Sequence, residues 1–259
     1  MAYKPKCYGI IPARYGSTRF PGKPLAEIHG KPMFWHVYDR AKNCPDISAV
    51  YVATDDDRIA EAAKALNVAV LWTRSDHRSG TDRVFEASEQ LNIADDEVVI
   101  NIQGDEPALN PSLLSELIQP FTDPEVCVST PVRPIAPESA KSPDRVKAVF
   151  CSKNKALYFS RAPIPFARES TAVQFYGHIG LYAFRMNALK KFVSLPPGRL
   201  ETIEKLEQLR LLEHNISIHI VITQYESLSV DRPEDLEAVS RYFDAQKQQK
   251  PNTTGDPAH

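Results

Sequence analysis

Residues 10–25 read IIPARYGSTRFPGKPL, and this stretch decides the fold. It begins within a short apolar strand, Cys7 to Ile11, and continues as a loop that places basic side chains among glycines and prolines. A strand followed by a basic, glycine-containing loop is how α/β proteins bind a polyphosphate at the carboxyl ends of their strands. The cations Arg14, Arg19 and Lys23 would neutralise such an anion. We predict a polyphosphate-binding loop; a solvated basic surface loop is the alternative.

Two known phosphate loops are excluded by the spacing. A Walker loop needs GxxxxGK followed by Ser or Thr, whereas Gly16 to Lys23 holds one residue too many and Pro24 follows. Proline has neither an N–H nor a hydroxyl, so it can neither cradle phosphate nor ligate Mg²⁺. The chain also lacks GxGxxG, which excludes the dinucleotide-binding fingerprint.

Length and charge restrict the class of protein. The chain has 259 residues and a formal net charge of −2, which suits one large α/β domain and argues against a nucleic-acid surface. The four cysteines show neither a CxxC pair nor zinc spacing. No signal sequence or membrane-length apolar run is present. We expect a reduced, soluble, cytoplasmic protein with no membrane or nucleic-acid partner, and a disordered tail over 246–259.

Apolar runs alternate with helical patterns through the first half of the chain, which predicts an α/β fold with a mostly parallel central sheet and flanking helices. The predicted strands are 7–11, 47–53, 68–72 and 97–102, and the predicted helices are 57–66, 81–91 and 111–119. Ligands of such sheets bind at the carboxyl ends of the strands, where the polar motifs of this chain fall.

The second half predicts a smaller, mixed α/β lobe that supplies an acceptor site. The predicted strands are 126–132, 146–151, 156–159, 178–185 and 216–223, with a turn at Lys153-Asn154. A long helix is predicted over 200–214, and a last helix from Pro233. We treat 1–245 as a single domain, with a nucleotide-binding part to about 125, the lobe over about 126–225, and a return to the core over 226–245.

Two aspartates are candidate Mg²⁺ ligands. Asp105 follows the predicted strand VVIN, and Asp231 lies between a short apolar run and a helix start. Carboxylates at strand ends are rigidly placed, and Mg²⁺ is commonly held by one or two of them together with phosphate oxygens. Turn or helix capping is the alternative role for each aspartate.

Polar residues near two helices are candidate ligand contacts. The loop His77 to Arg83 enters a helix whose first N–H groups could bind a base or ribose, although Thr81 could equally be a simple N-cap. Glu207 and Gln208 lie in a mostly apolar helical pattern, where a carboxylate needs either a ligand hydroxyl or an arginine as its partner.

Basic residues flank the segment APIPF in the second half. Arg161 and Arg168, with His178, could hold a carboxylate substrate. Arginines that simply face solvent are the alternative.

Eight motifs, in this order, resemble those of the 3-deoxy-manno-octulosonate (Kdo) cytidylyltransferase family. They are PARYGSTRFPGKPL, ATDDDRI, HRSGTDRV, NIQGDEP, LYFSRAPIP, HIGLYAFR, LEQLR and VDRPEDLEAV. The resemblance covers about Tyr8 to Tyr242 and implies a nucleotide-diphospho-sugar transferase fold, which is Rossmann-like. It implies a homodimer that uses Mg²⁺ to make CMP-Kdo and pyrophosphate from CTP and Kdo for lipopolysaccharide synthesis. The alternatives are a cytidylyltransferase for 8-amino-Kdo or a sialic-acid-type sugar, and a non-catalytic nucleotide sensor.

The resemblance also implies roles for residues at matching motif positions. Those implied for CTP are Arg14, Ser17, Arg19, Lys23, Arg74, Ser79, Gly80 and Gln103. Those implied for the sugar acid are Arg161, Arg168, His178, Tyr182, Glu207 and Gln208. Asp105 and Asp231 would ligate Mg²⁺, and together with Lys23, Arg14 and Arg19 they would form the catalytic set.

Overall fold

The computed structural model describes residues 4–16, 20–169, 173–226 and 228–249. The elements of the first half are β1 (Cys7–Pro12), β2 (Glu27–Ile28), β3 (Lys31–Pro32), α1 (Met33–Lys42), β4 (Ala49–Thr54), α2 (Asp57–Ala65), β5 (Val70–Trp72), α3 (Gly80–Gln90), β6 (Val98–Asn101) and α4 (Pro111–Ile118). Short 3-10 turns cover Lys23–Leu25 and Gln119–Thr122.

Strand β1 lies at the centre of the parallel part of the sheet. It pairs with β4 on one side and with β6 on the other, and β4 pairs with β5, all in parallel. All four residues of β6 are buried, which explains the apolar run 98–100. The four strands and three helices predicted in this half are confirmed, with boundaries that differ by one or two residues.

Helix α1 and the hairpin formed by β2 and β3 are additions to the predicted elements. Helix α1 buries Met33, Phe34 and Val37 against the sheet. Its N-cap residue is Pro32, which makes no side-chain cap, so the usual start signal is absent from the sequence.

The second half continues the same sheet. Its elements are β7 (Val128–Ile135), α5 (Pro137–Ala140), β8 (Lys147–Phe150), β9 (Ala156–Ser160), β10 (Phe175–His178), β11 (Tyr182–Arg185), α6 (Met186–Ser194), α7 (Arg199–Glu204), α8 (Leu209–Glu213), β12 (His219–Ile222) and α9 (Asp235–Gln249). Among the described residues the sheet has ten strands, and β11 joins the halves by pairing antiparallel with both β6 and β7. The fold is a mixed sheet whose parallel strands are flanked by helices.

The single strand predicted over 178–185 is two strands. Strand β10 ends at His178 and pairs with β7 and β8, whereas β11 begins at Tyr182 and pairs with β6 and β7. Between them the hydroxyl of Thr130 donates to the carbonyl of Leu181 at 2.7 Å. Because the outer partner changes from β8 to β6, the ladder is interrupted at this point.

The long helix predicted over 200–214 is wrong. Helix α7 ends at Glu204, Lys205 adopts a left-handed conformation with φ 54°, and α8 begins at Leu209. Arg210 on α8 makes a bidentate ion pair with Glu201 on α7, at 2.8 and 2.6 Å. This pair folds α8 back against α7, so Glu207 lies in the connection between them and not on a helix face.

A small separate core lies beneath the last helix. Ala108, Val230 and Phe243 are buried in it, and Phe20 packs against them. Ala108 and Val230 are close in sequence to Asp105 and Asp231, so this core holds both aspartates near the basic loop. The last helix was predicted to begin at Pro233, but α9 begins at Asp235. It continues to Gln249, so residues 246–249 are helical although they were predicted to belong to a disordered tail. Of the residues that are described, none belong to a helix that is long and apolar enough to cross a membrane.

Candidate active site

A cleft opens at the carboxyl ends of β1 and β6. Gly104, just past β6, sits so close to β1 that an added Cβ would lie 3.0 Å from the carbonyl oxygen of Pro12. Glycine is therefore needed where the two strand ends converge. The cleft is lined by Pro12, Arg14, Lys23, Pro24, His77, Ser79, Gly80, Arg83, Gln103, Gly104 and Asp105.

Lys23 and the two predicted metal aspartates meet at one edge of this cleft. The Lys23 ammonium lies 2.6 Å from Asp105 Oδ2 and 3.8 Å from Asp231 Oδ1, and it donates to the carbonyl of Val230 at 2.8 Å. The N–H of Val230 in turn donates to the carbonyl of Asp105 at 2.8 Å. Three residues that are far apart in the sequence thus form one charged group.

The same two carboxylates fit a divalent cation. Both approach one Lys23 ammonium, which shows that they can face a single positive charge. Among the described residues no group of three or more His, Cys, Asp or Glu side chains could hold a metal ion. A cation at this place would therefore take two carboxylate oxygens from the protein and further oxygens from a bound phosphate, as Mg²⁺ does in many nucleotide sites.

The N-terminus of α3 forms another wall of the cleft. Ser79 is its N-cap, and Ser79 and Asp82 form a capping box: the Asp82 N–H donates to Ser79 Oγ and the Ser79 N–H donates to Asp82 Oδ2, each at 3.2 Å. The alternative that Thr81 is the N-cap is therefore wrong. The positive end of the helix dipole faces the cleft, where it favours an anion or a polar base edge.

A chain of side-chain hydrogen bonds leads from the cleft toward the second half. Gln103 Nε2 donates to Asn101 Oδ1 at 3.4 Å, Asn101 Nδ2 donates to Thr81 Oγ1 at 3.2 Å, and Thr81 donates to Glu207 Oε2 at 2.8 Å. Burial raises the pKa of Glu207, opposed by the hydrogen bonds from Thr81 and Ser79. Asn101 and Thr81 were missed as site residues because each looks, in sequence, like an ordinary strand or cap residue.

Gln208, beside Glu207, has an unsatisfied polar atom. The side chain is buried, 7% exposed, and its Nε2 has no hydrogen-bond partner among the described residues. Leaving a buried donor unpaired costs about 1–3 kcal/mol, so this donor calls for a polar partner such as a ligand oxygen or a water molecule. This is the observation in the second half that points most directly to a polar ligand.

His178 and Tyr182 are half-buried and held in uncharged forms. Burial lowers the pKa of His178 to about 3, and its Nε2 lies 2.9 Å from Thr130 Oγ1. Burial also raises the pKa of Tyr182 well above its usual value, opposed by Thr130. The two rings are 5.4 Å apart. In this environment His178 can contribute a hydrogen bond but not a positive charge.

The pKa of His178 predicts how the free energy of unfolding depends on pH. The folded pKa of about 3 is below the unfolded value of about 6.5, so the stability from the neutral ring is complete above about pH 6.5 and is lost as the pH falls toward 3. Between pH 7.5 and 5, we expect the free energy of unfolding to fall by about 2 kcal/mol less in His178→Gln than in the unmutated protein. Urea unfolding at the two pH values measures this difference. His214→Gln, at an exposed position, is the control. Identical pH dependence in the His178 variant would contradict the neutral ring.

The remaining predicted site residues differ in their surroundings. Ser17 and Arg19 lie outside the described residues. The Arg161 guanidinium donates to the carbonyls of Glu204, Pro143 and Lys205 at 2.8, 3.0 and 3.4 Å. Arg168 is exposed beside Glu169, and Arg74 is exposed near Asp76 and Glu86 outside the lining of the cleft.

The cleft also contains two basic residues that were not among the predicted site residues. Arg83 is buried and donates to Thr73 Oγ1 at 2.5 Å and pairs with Asp55 at 3.0 Å. His77 Nε2 contacts the Glu86 carboxylate. Both lie in the motif HRSGTDR, and the one signal that could have identified them is their spacing around the start of α3.

The chain is similar in sequence to known cytidylyltransferases. The family profile described as Cytidylyltransferase matches residues 8–218. A 3-deoxy-manno-octulosonate cytidylyltransferase of Nitratidesulfovibrio vulgaris strain DP4 is 58% identical over 238 residues, which cover 90% of this chain and 94% of the relative. An 8-amino-3,8-dideoxy-manno-octulosonate cytidylyltransferase of Shewanella sediminis is 46% identical, over 88% of this chain and 94% of that protein.

Solved structures of cytidylyltransferases are also similar to this chain. A CMP:2-keto-3-deoxy-manno-octonic acid synthetase in complex with CTP superposes with a TM-score of 0.89 at 40% identity, over 93% of this chain and 99% of that chain. A cytidylyltransferase of Leptospira borgpetersenii superposes with a TM-score of 0.61 at 17% identity, over 93% of this chain and 87% of that chain, and shows a shared fold.

Proposed function

Because the chain belongs to the cytidylyltransferase family, and within it to the 3-deoxy-manno-octulosonate cytidylyltransferases, we propose that it transfers the cytidylyl group of CTP to Kdo. The products are CMP-Kdo and pyrophosphate. The convergence of Lys23, Asp105 and Asp231 at the edge of the cleft carries this proposal, because it places charge for phosphoryl chemistry at the carboxyl ends of the strands. A non-catalytic nucleotide sensor would need the base and phosphate contacts but not this charged group.

The reaction is an in-line displacement at the α-phosphorus of CTP. The anomeric hydroxyl oxygen of the sugar forms the new bond to phosphorus, the bond to the bridging oxygen of pyrophosphate breaks, and the hydroxyl proton passes to water. Such a step depends on positioning and on neutralisation of charge. Lys23 and Arg14 would neutralise the charge that builds on the leaving pyrophosphate.

Asp105 and Asp231 would hold Mg²⁺ in this proposal. When bound, the metal supplies polarisation of the α-phosphate and a lower pKa for the attacking hydroxyl. Lys23 already binds one of these carboxylates at 2.6 Å, so it must share them with the metal or turn toward the phosphates. The two aspartates therefore also position Lys23.

The polar residues of the second half would bind the sugar acid. Gln208 Nε2 offers a buried donor that lacks a protein partner, and Glu207 stands at the end of the hydrogen-bond chain from Gln103. Hydroxyl groups of a sugar would satisfy both. Tyr182 and the neutral His178 would add hydrogen bonds. Arg161 and Arg168 remain predicted carboxylate ligands; Arg161 would have to release carbonyl contacts to act as one.

The variant Glu207→Gln is expected to weaken sugar binding without lowering thermal stability. We expect the variant to raise the KM for sugar about 5- to 150-fold, the equivalent of about 1–3 kcal/mol, with little change in CTP affinity. Desolvation raises the pKa of the half-buried Glu207 carboxyl, so its contribution to stability is lost as the pH rises from the unfolded pKa to the raised folded pKa. The neutral amide should therefore keep or raise Tm at pH 7.5. Calorimetry measures the affinity for CTP, pyrophosphate release measures the KM for sugar, and thermal unfolding measures Tm. Weakened CTP binding with an unchanged sugar KM would contradict the assignment.

Pyrophosphate release with CTP and a panel of 2-keto sugar acids tests the proposed function. The panel contains Kdo, 8-amino-Kdo and a sialic-acid-type nonulosonate, each at matched concentration. We expect the highest kcat/KM with Kdo. The 8-amino sugar is the second candidate, because relatives named for it are 46–48% identical to this chain, against 53–58% for relatives named for Kdo. No release with any of the three acids would overturn the proposal.

We also propose that the enzyme works as a homodimer in the cytoplasm and supplies lipopolysaccharide sugar. Support for a dimer comes from large apolar side chains exposed in the second half, among them Leu157 at 62% and Ile203 at 66%. The four cysteines are free thiols, as is usual in a reducing compartment. Sedimentation equilibrium should give twice the chain mass of 29.0 kDa.

A further inference from the structure

Tyr15 connects the basic loop to the body of the sheet. It stands between Arg14 and Gly16, and its carbonyl accepts a hydrogen bond from the N–H of Gly22 at 3.0 Å. Its ring lies against Gly22, where an added Cβ would be 3.2 Å from the ring atoms and the hydroxyl oxygen. Gly22 has φ 72° and directly precedes Lys23. The backbone that places Lys23 is therefore packed on Tyr15.

Arg58 holds the Tyr15 ring from the side of α2. Its guanidinium carbon lies 3.2 Å from the ring centroid. The same guanidinium makes a bidentate ion pair with Asp56, Nε to Oδ1 at 2.9 Å and Nη2 to Oδ2 at 2.6 Å. This pair lowers the pKa of Asp56. A planar guanidinium fixed by a carboxylate is a good platform for an aromatic ring.

Asp56 is itself anchored at the end of β4, a strand that lies between β1 and β5. Its N–H donates to Oγ1 of Thr54, the buried last residue of β4, at 3.2 Å, and its carboxylate caps α2. A continuous path of contacts thus runs from β4 through Asp56, Arg58 and Tyr15 to Gly22. None of these groups is required to touch a nucleotide.

We infer that Asp56, Arg58 and Tyr15 form a strut that positions Arg14 and Lys23 for CTP phosphates. The inference rests on the proposed function. An exposed ion pair alone contributes little to stability, and Arg58 is 56% exposed, so the value of the strut lies in the geometry of the loop. A cation displaced from its place in such a site loses most of its effect on charge that develops during the reaction.

Calorimetry with CTP in the absence of sugar tests the strut. We expect Tyr15→Ala and Arg58→Ala to raise the Kd for CTP about tenfold, and Tyr15→Phe, which keeps the ring, to bind CTP as the unmutated protein does. Lys42→Ala, which removes a cation 5.9 Å from the Tyr38 ring on α1, is the control and should change nothing. The KM for sugar should stay within twofold in all variants.

The outcomes distinguish a strut that positions the loop cations from residues that only stabilise the fold. Unchanged CTP affinity in Arg58→Ala would overturn the strut, and this variant decides the matter even if Tyr15→Ala fails to fold, because Arg58 is largely exposed. Equal weakening of CTP and sugar binding, in proportion to a lower Tm, would also overturn it. Failure of the unmutated protein to bind CTP would refute the proposed function instead.

Discussion

Replacing Lys23 with alanine is expected to lower kcat about 100- to 1,000-fold at saturating CTP and sugar, while the protein still folds. The ammonium lies 2.6 Å from Asp105 and 3.8 Å from Asp231, at the edge of the cleft where the leaving pyrophosphate would carry its charge. Loss of one preorganised cation removes stabilisation that no water molecule can replace. Pyrophosphate release at saturating substrates measures the effect.

The same variant has a second, independent signature. Without the ammonium, Asp105 loses the cation that lies 2.6 Å from its carboxylate, and this loss should lower Tm. Mg²⁺ should replace that cation, so the increase of Tm on adding Mg²⁺ should be larger in Lys23→Ala than in the unmutated protein. Lys31→Ala is the matched control, because Lys31 lies 5.5 Å from the Trp35 ring and outside the lining of the cleft. Turnover within tenfold of the unmutated enzyme would refute the role of Lys23.

Asp105→Asn and Asp231→Asn should each lower Mg²⁺-dependent turnover about 1,000-fold and leave a folded protein. An amide keeps the shape of the carboxylate and can still accept a hydrogen bond, but it is a poor ligand for Mg²⁺. Titration of activity against Mg²⁺ concentration, together with thermal unfolding, separates loss of the metal from loss of the fold.

Asp95→Asn supplies the control for the two aspartate variants. Asp95 pairs with Lys190 on the surface at 2.6 Å and precedes β6, whereas Asp105 follows that strand. This variant should keep full activity. If Asp231→Asn retained full activity at ordinary Mg²⁺ concentrations, Asp231 would serve only the turn before α9, and the metal site would need a different second ligand.

The first half of the fold was predictable because its strands are buried on both faces. Such strands appear in the sequence as continuous apolar runs, and β6 is an example. Helix α1 was not predicted because its N-cap residue, Pro32, has no side chain that can cap the helix. The helix predicted over 200–214 failed because hydrophobic periodicity does not register a single left-handed residue: Lys205 breaks the helix, and the pair of Glu201 with Arg210 stabilises the break.

The candidate site was predictable in its residue types and only partly in its contacts. Asp105, Asp231 and Lys23 each stand at a loop that the sequence marks. Their meeting depends on the small core around Val230, where α9 packs, and no local pattern specifies that packing. The capping box of Ser79 with Asp82 is a local pattern three residues apart, whereas the surroundings of His178 depend on Thr130, which is distant in sequence.

The insertion of β11 between β6 and β7 has a consequence for biosynthesis. Strand β6 is complete early in translation, yet the strand that covers its open edge, Tyr182–Arg185, leaves the ribosome much later. Until then the nascent chain presents an apolar strand with unpaired backbone groups, which is a template for aggregation. The nucleotide-binding part should therefore not be obtainable as a separate soluble fragment, and overproduction should depend on chaperones that protect this edge.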